Sequence, residues 1–250
     1  MATKIEHETP LGFRRRTDGS RITYDPNITV RAVHKRFFSQ VKDRSLTFGD
    51  PLVEVRRHLE LGHRYFFKTD LTSAFDHVTA EQLQAVLGVR RINYGWLTPA
   101  KYFFHEGGRG GLIQGAPASP YLFETYCRYG GLDRELYEYC DKLGFCYTRY
   151  VDDILISSNR FLGKRIGPSV REIVRTFGFE LSDKKTKRVD VYTEPLSVLG
   201  YLIQGSRIDP NPGTLQALFD PKTSDAARSG VFRWRRHVRK VGRRRQVIHR

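Results

Sequence analysis

Cysteine is scarce in this chain, with three among 250 residues: Cys127, Cys140 and Cys146. Their spacing fits neither a zinc site nor a redox pair. That excludes a disulfide-stapled scaffold and leaves buried thiols of a cytoplasmic protein. No apolar run is long enough to cross a bilayer, and the first ten residues lack the apolar core of a signal peptide. The sequence therefore predicts a cytoplasmic chain with no membrane partner. Acid is in deficit: 27 Asp and Glu stand against 43 Lys and Arg, a net charge of +16. Such an excess predicts a polyanionic partner, nucleic acid before any other. Neither an internal repeat nor a low-complexity linker is present, so the length reads as one large domain or two small ones. His58, His63, His77 and His105 are scattered and read as surface or core polar groups.

What is present is organised around Tyr147-Thr148-Arg149-Tyr150-Val151-Asp152-Asp153-Ile154-Leu155-Ile156-Ser157-Ser158. Asp-Asp is a poor strand interior and a good turn, and β-formers flank it on both sides. The pattern predicts a buried β-hairpin over residues 145–158 with two carboxylates at its tip. Two adjacent anions repel each other unless a cation lies between them.

The neighbouring segments supply a fold. Asp18-Gly19 between two short runs predicts a hairpin over residues 13–24 whose arginines face either phosphates or plain solvent. Helical spacing covers residues 30–41 through Val30, Val33, Phe37, Phe38 and Val41, and a second helix covers 51–61 before Gly62. Residues 65–71 read as a buried strand ending in Asp70. Thr79 and Gln82 form a capping box for a helix that stops at Gly88. No element is assigned between residues 90 and 107. Ser119 reads as an N-cap and Pro120 as a first helical residue. From there one apolar face carries Leu122, Tyr126, Tyr129, Leu136, Tyr137, Cys140 and Leu143, bending at Gly130-Gly131. A helix over 168–177 and strands near 179–181, 187–192 and 198–204 complete the pattern.

Strand, helix, hairpin, helix, strand is the split βαβ arrangement of a ferredoxin-like layer, with helices on one face of an antiparallel sheet. In that topology the first strand lies centrally, beside the hairpin. Asp70, Asp152 and Asp153 then converge on one sheet edge. Converging carboxylates are oxygen ligands suited to Mg²⁺, and two such ions clamp the attacking and leaving oxygens of an in-line phosphoryl transfer.

These segments resemble, in order, the motifs of the bacterial-type reverse transcriptases, the branch that includes retron and group II intron enzymes. Phe67-Lys68-Thr69-Asp70-Leu71-Thr72-Ser73-Ala74-Phe75-Asp76 is similar to the first catalytic block. Gln114-Gly115-Ala116-Pro117-Ala118-Ser119-Pro120 is similar to the Gln-Gly-x-x-x-Ser-Pro block, and Tyr150-Val151-Asp152-Asp153 to the Tyr-x-Asp-Asp block. Leu181-Ser182-Asp183-Lys184-Lys185-Thr186 resembles the segment that follows, Val198-Leu199-Gly200-Tyr201 the primer-grip hairpin, and residues 13–22 the fingers hairpin.

The resemblance implies an α+β right-hand polymerase with a ferredoxin-like palm, small fingers and a short helical thumb. It implies RNA-directed DNA synthesis, with an RNA template, a nucleic-acid primer and dNTPs as partners, a dedicated structured non-coding RNA among the options, and two Mg²⁺ ions as cofactors. Asp70, Asp152 and Asp153 would be catalytic and, with the Leu71 carbonyl, metal-binding. Lys185 would protonate the leaving pyrophosphate, although a plain basic loop accounts for Lys184 and Lys185 as well. Phe75 stands at the steric-gate position that excludes a ribose 2′-hydroxyl. Gln114 and Gly115 would meet the incoming nucleotide, and Arg16 and Arg21 its triphosphate. Leu199 and Gly200 would grip the primer. Arg233, Trp234, Arg235 and Arg236 would contact template–primer or structured RNA, from either a reduced thumb or a disordered basic tail.

Residues 1–64 are expected to form fingers, 65–192 the palm, 193–210 the primer-grip hairpin and 211–250 the reduced thumb or tail. Val151 stands where bacterial members usually have alanine, and Val198-Leu199-Gly200 where retron members carry Val-Thr-Gly. Two other functions remain open on these residues: an RNA-dependent RNA polymerase, and an RNA-binding scaffold with a vestigial palm.

Overall fold

A computed structural model describes residues 7–18, 21–40, 50–89, 99–216, 218–219 and 225–242. The turn at Gly19-Ser20, Val41 and the basic end from Arg243 onward lie outside the described residues. The chain divides into two compact units. One comprises Met1–Phe48, Leu71–Tyr137 and Val170–Leu181, the other Gly49–Asp70, Glu138–Ser169 and Ser182–Arg250.

The second unit holds the central sheet. Strands β3 (Tyr65–Asp70), β4 (Cys146–Tyr150), β5 (Asp153–Ser158) and β6 (Lys187–Asp190) pair antiparallel in the order β4-β5-β3-β6. The first strand of the set lies between the third and fourth, the ferredoxin-like order the sequence predicts. Register puts Asp70 opposite Asp153 and Tyr150 opposite Asp153, so Val151 and Asp152 form the two-residue hairpin turn.

Alternation along the strands gives the sheet two different faces. Phe66, Lys68 and Asp70 share one with Leu155 and Asp153. That face is covered by helix α2 (Pro51–Glu60) and by a second sheet, β7 (Leu196–Val198), β8 (Tyr201–Gln204) and β9 (Arg207–Pro210). Leu52, Val55 and Leu59 of α2 pack with Phe66, Leu155, Val198 and Ile203 in one core. Buried His58 explains the added layer's fit: its two ring nitrogens meet Ser157 Oγ at 2.6 Å and Thr148 Oγ1 at 2.8 Å. Burial, then the neighbouring His63 and Arg57, drops its pKa to about 3, so it ties helix to sheet as a neutral ring.

Residues 198–204, expected as one strand, instead form a hairpin. Val198 pairs with Tyr201, and Leu199 and Gly200 turn between them with φ of 50° and 82°. Positive φ at both central positions is what a type I′ hairpin turn requires, and Gly200 meets it without strain. After the short helix α7 (Pro212–Gln216), helix α8 (Asp225–Gly242) packs Trp234 and Val238 against the same core. The disordered-tail alternative is therefore set aside for residues 225–242.

In the first unit, β1 (Phe13–Asp18) and β2 (Arg21–Pro26) form the expected arginine-bearing hairpin. Helix α1 (Ile28–Gln40) buries Val30, His34 and Phe37 at helical spacing, while Phe38 is exposed. His34 Nδ1 accepts from Ala118 N at 3.1 Å, so Nε2 carries the proton it gives to Tyr102 O at 2.8 Å. Helix α3 (Ala80–Val89) begins with the expected capping box: Thr79 N donates to Gln82 Oε1, and Gln82 N to Thr79 Oγ1.

Ser119 is not an N-cap. Ala118 caps helix α4 (Ser119–Gly130), and the buried Ser119 hydroxyl donates backwards to Ile113 O at 2.6 Å. The Ile113 carbonyl also accepts from Ala116 N at 3.2 Å, so Ser119 Oγ supplies its second bond. Gly131, at φ 103°, ends α4 outright, so α5 (Leu132–Lys142) is a separate helix rather than the far side of a bend. Tyr137 and Leu143, expected on the buried face, are exposed. Helix α6 (Ile166–Thr176) starts two residues before its predicted position.

Candidate active site

Three elements of the second unit bring the carboxylates together. Asp70 ends β3, Asp152 occupies the β4–β5 turn and Asp153 begins β5. One oxygen from each lies within 4.8 Å of the others. Asp70 is 6% exposed. Burial, followed by the charge of Asp70 and a smaller push from Asp153, raises the Asp152 carboxyl to about 6. Asp153 is raised too, by burial first, against the Lys68 ammonium that lowers it. Hard oxygen donors under mutual repulsion, away from histidine and cysteine, fit a divalent cation such as magnesium.

Two lysines complete the geometry. Lys185 Nζ donates to Asp70 Oδ2 at 2.8 Å. Its short turn is bolted to the end of β3: Ser182 N donates to Asp70 O at 2.8 Å, and Thr69 Oγ1 meets Thr186 Oγ1 at 2.6 Å. Burial pulls the Lys185 pKa down, but the hydrogen bond and charge of Asp70, with Asp152 and Asp153 behind them, leave it raised overall. Lys185 is thus a charged proton holder beside the carboxylates.

The second cation, Lys68, was not singled out by sequence. Its Nζ lies 3.7 Å from Asp153 Oδ1 and donates to Ser197 O, in the middle of β7, at 3.1 Å. The signal was available in period 2: a residue two before Asp70 on a strand must share its face.

Val151 carries a cost. Its φ of 54° is left-handed, a region β-branched residues avoid. Arg149 Nη1 donates to the Val151 carbonyl at 2.7 Å and helps hold the turn.

The remaining candidates fall elsewhere. Phe75, Gln114, Gly115, Arg16 and Arg21 belong to the first unit, as does Leu71, which follows Asp70 in the chain. Phe75 lies in a 3-10 turn, Ala74–His77, with its ring 5.2 Å from Phe123 and its carbonyl accepting from Leu112 N at 2.8 Å. Gln114 O accepts from Tyr24 N at 2.8 Å. Gly115, at φ 96°, would place a Cβ 2.8 Å from Tyr24 O, so its missing side chain lets the loop lie against strand β2. Arg16 is exposed, 3.9 Å from Asp25 Oδ2. The Arg21 side chain lies outside the described residues.

Leu199, Trp234 and Gly200 form one assembly within the second unit. Trp234 packs on Tyr201 at 5.5 Å and donates Nε1–H to its hydroxyl at 3.2 Å, and a Cβ on Gly200 would lie 3.7 Å from the indole. Trp234, half-buried, thus docks α8 on this core. Arg233 and Arg236 are exposed and Arg235 is half-buried.

Residues 17–203 match the family described as "Reverse transcriptase (RNA-dependent DNA polymerase)". Among curated proteins, the chain is 24% identical over 217 residues to the retron Mx65 reverse transcriptase of Myxococcus xanthus, covering 74% of this chain and 48% of that one. It is 23% identical over 192 residues to the retron Ec83 reverse transcriptase of Escherichia coli, covering 70% and 61%. The chain therefore spans about half of the first relative's length. Among solved structures, an apo telomerase from Candida tropicalis, truncated from its C-terminal domain, aligns with a TM-score of 0.50 at 11% identity. That alignment covers 79% of this chain and 54% of the other, a likeness of fold. Among the described residues, no helix is long and apolar enough to cross a membrane.

Proposed function

Because the chain belongs to the reverse transcriptase (RNA-dependent DNA polymerase) family, we propose that it copies an RNA template into DNA, adding dNTPs to a primer 3′-hydroxyl. The observation that carries this reading is the set of three carboxylate oxygens within 4.8 Å of one another, with Lys185 on Asp70. A purely RNA-binding scaffold in a chain of net charge +16 has no use for a buried, self-repelling anionic cluster.

Asp70, Asp152 and Asp153 would hold two Mg²⁺ ions, with the Leu71 carbonyl as a further ligand. Bound there, the ions supply charge neutralisation for the reacting phosphate and easier ionisation of the primer hydroxyl. Asp152, raised to about 6, is ionised at neutral pH and available as a ligand. Lys185, protonated at that pH, would give its proton to the departing pyrophosphate. Lys68 offsets the charge of Asp153.

The nucleotide roles of Phe75, Gln114, Gly115, Arg16 and Arg21 rest on the resemblance of their motifs. In this reading Phe75 excludes the ribose 2′-hydroxyl, which favours DNA over RNA synthesis. Leu199 and Gly200 form the primer-grip turn, and exposed Arg233 and Arg236 on α8 meet phosphates of template and primer. Residues 1–64 then serve as fingers, 65–192 as palm, 193–210 as primer grip and 211–250 as a short thumb. The setting is the cytoplasm, and the partner class includes a dedicated structured non-coding RNA.

Primer extension on an RNA template with Mg²⁺ tests this. Incorporation of dNTPs that is lost in Asp152→Ala supports it. Equal use of rNTPs refutes the role of Phe75, and tight RNA binding without any synthesis refutes the enzyme.

A further inference from the structure

At the end of β3 away from the carboxylates, four side chains form a continuous row. Phe161 meets Tyr65 edge-on with ring centroids 5.8 Å apart. The Arg64 guanidinium lies 5.2 Å from the Tyr65 ring and 5.6 Å from the Tyr192 ring. Asp190 fixes the plane of that guanidinium through a bidentate pair, Nε to Oδ1 at 2.9 Å and Nη2 to Oδ2 at 2.6 Å. The outer members are open to solvent: Phe161 is 69% exposed and Tyr192 62%. A stack that served only the fold would bury its outer rings, because exposed aromatic surface forfeits the stabilisation that burial brings.

The surroundings are cationic. Phe161 sits in the loop Asn159-Arg160-Phe161-Leu162-Gly163-Lys164-Arg165, which contains no acid and exposes all three of its basic residues. Arg188 Nη1 holds the loop in place by donating to Gly163 O at 2.8 Å. Aromatic faces, a fixed guanidinium plane and adjoining cations together make a platform for unpaired bases and their phosphates.

We infer that this row is a second nucleic-acid site, one that holds an unpaired RNA segment apart from the reacting end. Bases stack on Phe161 and Tyr192, and the phosphates meet Arg160 and Lys164. No group in the row is arranged to read base edges, so the site tolerates any sequence. Self-association through this face would bring two basic loops together in a chain of net charge +16, which disfavours a second copy as the occupant. Five residue steps along β3, about 17 Å, separate Tyr65 from Asp70, so RNA held here does not occupy the carboxylate site. The choice of RNA as the strand rests on the polymerase reading above; the stacking platform itself does not.

The test is equilibrium binding of a short fluorescein-labelled oligouridylate to the full chain without dNTPs, repeated across salt concentrations. Phe161→Ala combined with Tyr192→Ala is expected to weaken binding about tenfold or more and to leave the salt slope unchanged, since no charge is removed. Arg160→Gln with Lys164→Gln should weaken binding and also flatten the slope. A 4-thiouridine probe should crosslink to the peptides carrying Phe161 or Tyr192. Both rings are exposed, and an unchanged unfolding midpoint verifies that the variants fold. Unaltered affinity with crosslinks elsewhere overturns the site, as does a ring-dependent change in sedimentation mass with RNA affinity intact, which marks a protein-binding face. Equal or tighter binding of oligothymidylate overturns the assignment to RNA. If the wild-type chain extends no primer yet binds RNA through these rings, the polymerase reading fails and the site stands.

Discussion

Lys185 Nζ and Asp70 Oδ2 lie 2.8 Å apart, so the ammonium and a carboxylate oxygen of the proposed metal site are hydrogen-bonded to each other. A cation approaching Asp70 competes with the ammonium for that oxygen. Replacing Lys185 with Met should therefore tighten Mn²⁺ binding several-fold, read by isothermal titration. The same substitution should slow primer extension about 10²-fold or more through loss of the proton donor. Tighter metal binding and slower chemistry in one variant is a combination that simple unfolding does not produce.

Asp152 titrates near 6, above the ordinary carboxylate value, chiefly through burial and then through the charge of Asp70. Metal affinity should fall as pH drops through about 6, with proton release on binding that is detectable by calorimetry in buffers of different ionisation enthalpy. The stability consequence has the opposite sense from a salt-bridged acid. With its folded pKa raised, Asp152 contributes stability below the unfolded value near 3.8 that is lost as pH rises through about 6. Asp152→Asn should stabilise the metal-free chain on the order of 1–3 kcal/mol at neutral pH and hardly at all near pH 4, measured by urea unfolding.

Lys68 lowers the carboxyl of Asp153 that burial raises, and it holds Ser197 O as well. Lys68→Met should push Asp153 further up and shift the acidic limb of the extension rate to higher pH. Lys68→Arg should restore the limb, since it returns the charge. A rate loss with no movement of the limb would show that Lys68 acts only through Ser197.

Trp234 and Arg233 are neighbours on α8 with different work. Trp234→Ala removes a partly buried ring from Tyr201 and should cost about 2–4 kcal/mol, with faster amide exchange along α8. Arg233→Ala, at an exposed position, should leave the unfolding midpoint in place and weaken RNA binding with a shallower salt slope.

Much of the active site was legible in one dimension because its parts are local. Asp152 and Asp153 sit in a turn between β-formers, Asp70 ends an apolar strand, and the split βαβ order follows from element sequence alone. The capping box at Thr79 and Gln82 was readable for the same reason: both its bonds span three residues. What could not be read were contacts between segments far apart in sequence. Trp234 stands among arginines in the sequence, and its contact with Tyr201, thirty-three residues earlier, through ring and N–H came only with the fold.

By itself, then, the sequence determined which residues carry charge and in what order the strands of the central sheet pair, since these depend on side-chain type and short-range periodicity. Only the tertiary structure decided which cation stands at which carboxylate and which face α2 covers. It likewise decided that Arg64, Tyr65, Phe161 and Tyr192 line up in one row. Those outcomes depend on where distant segments come to lie, and side-chain periodicity carries no information about that.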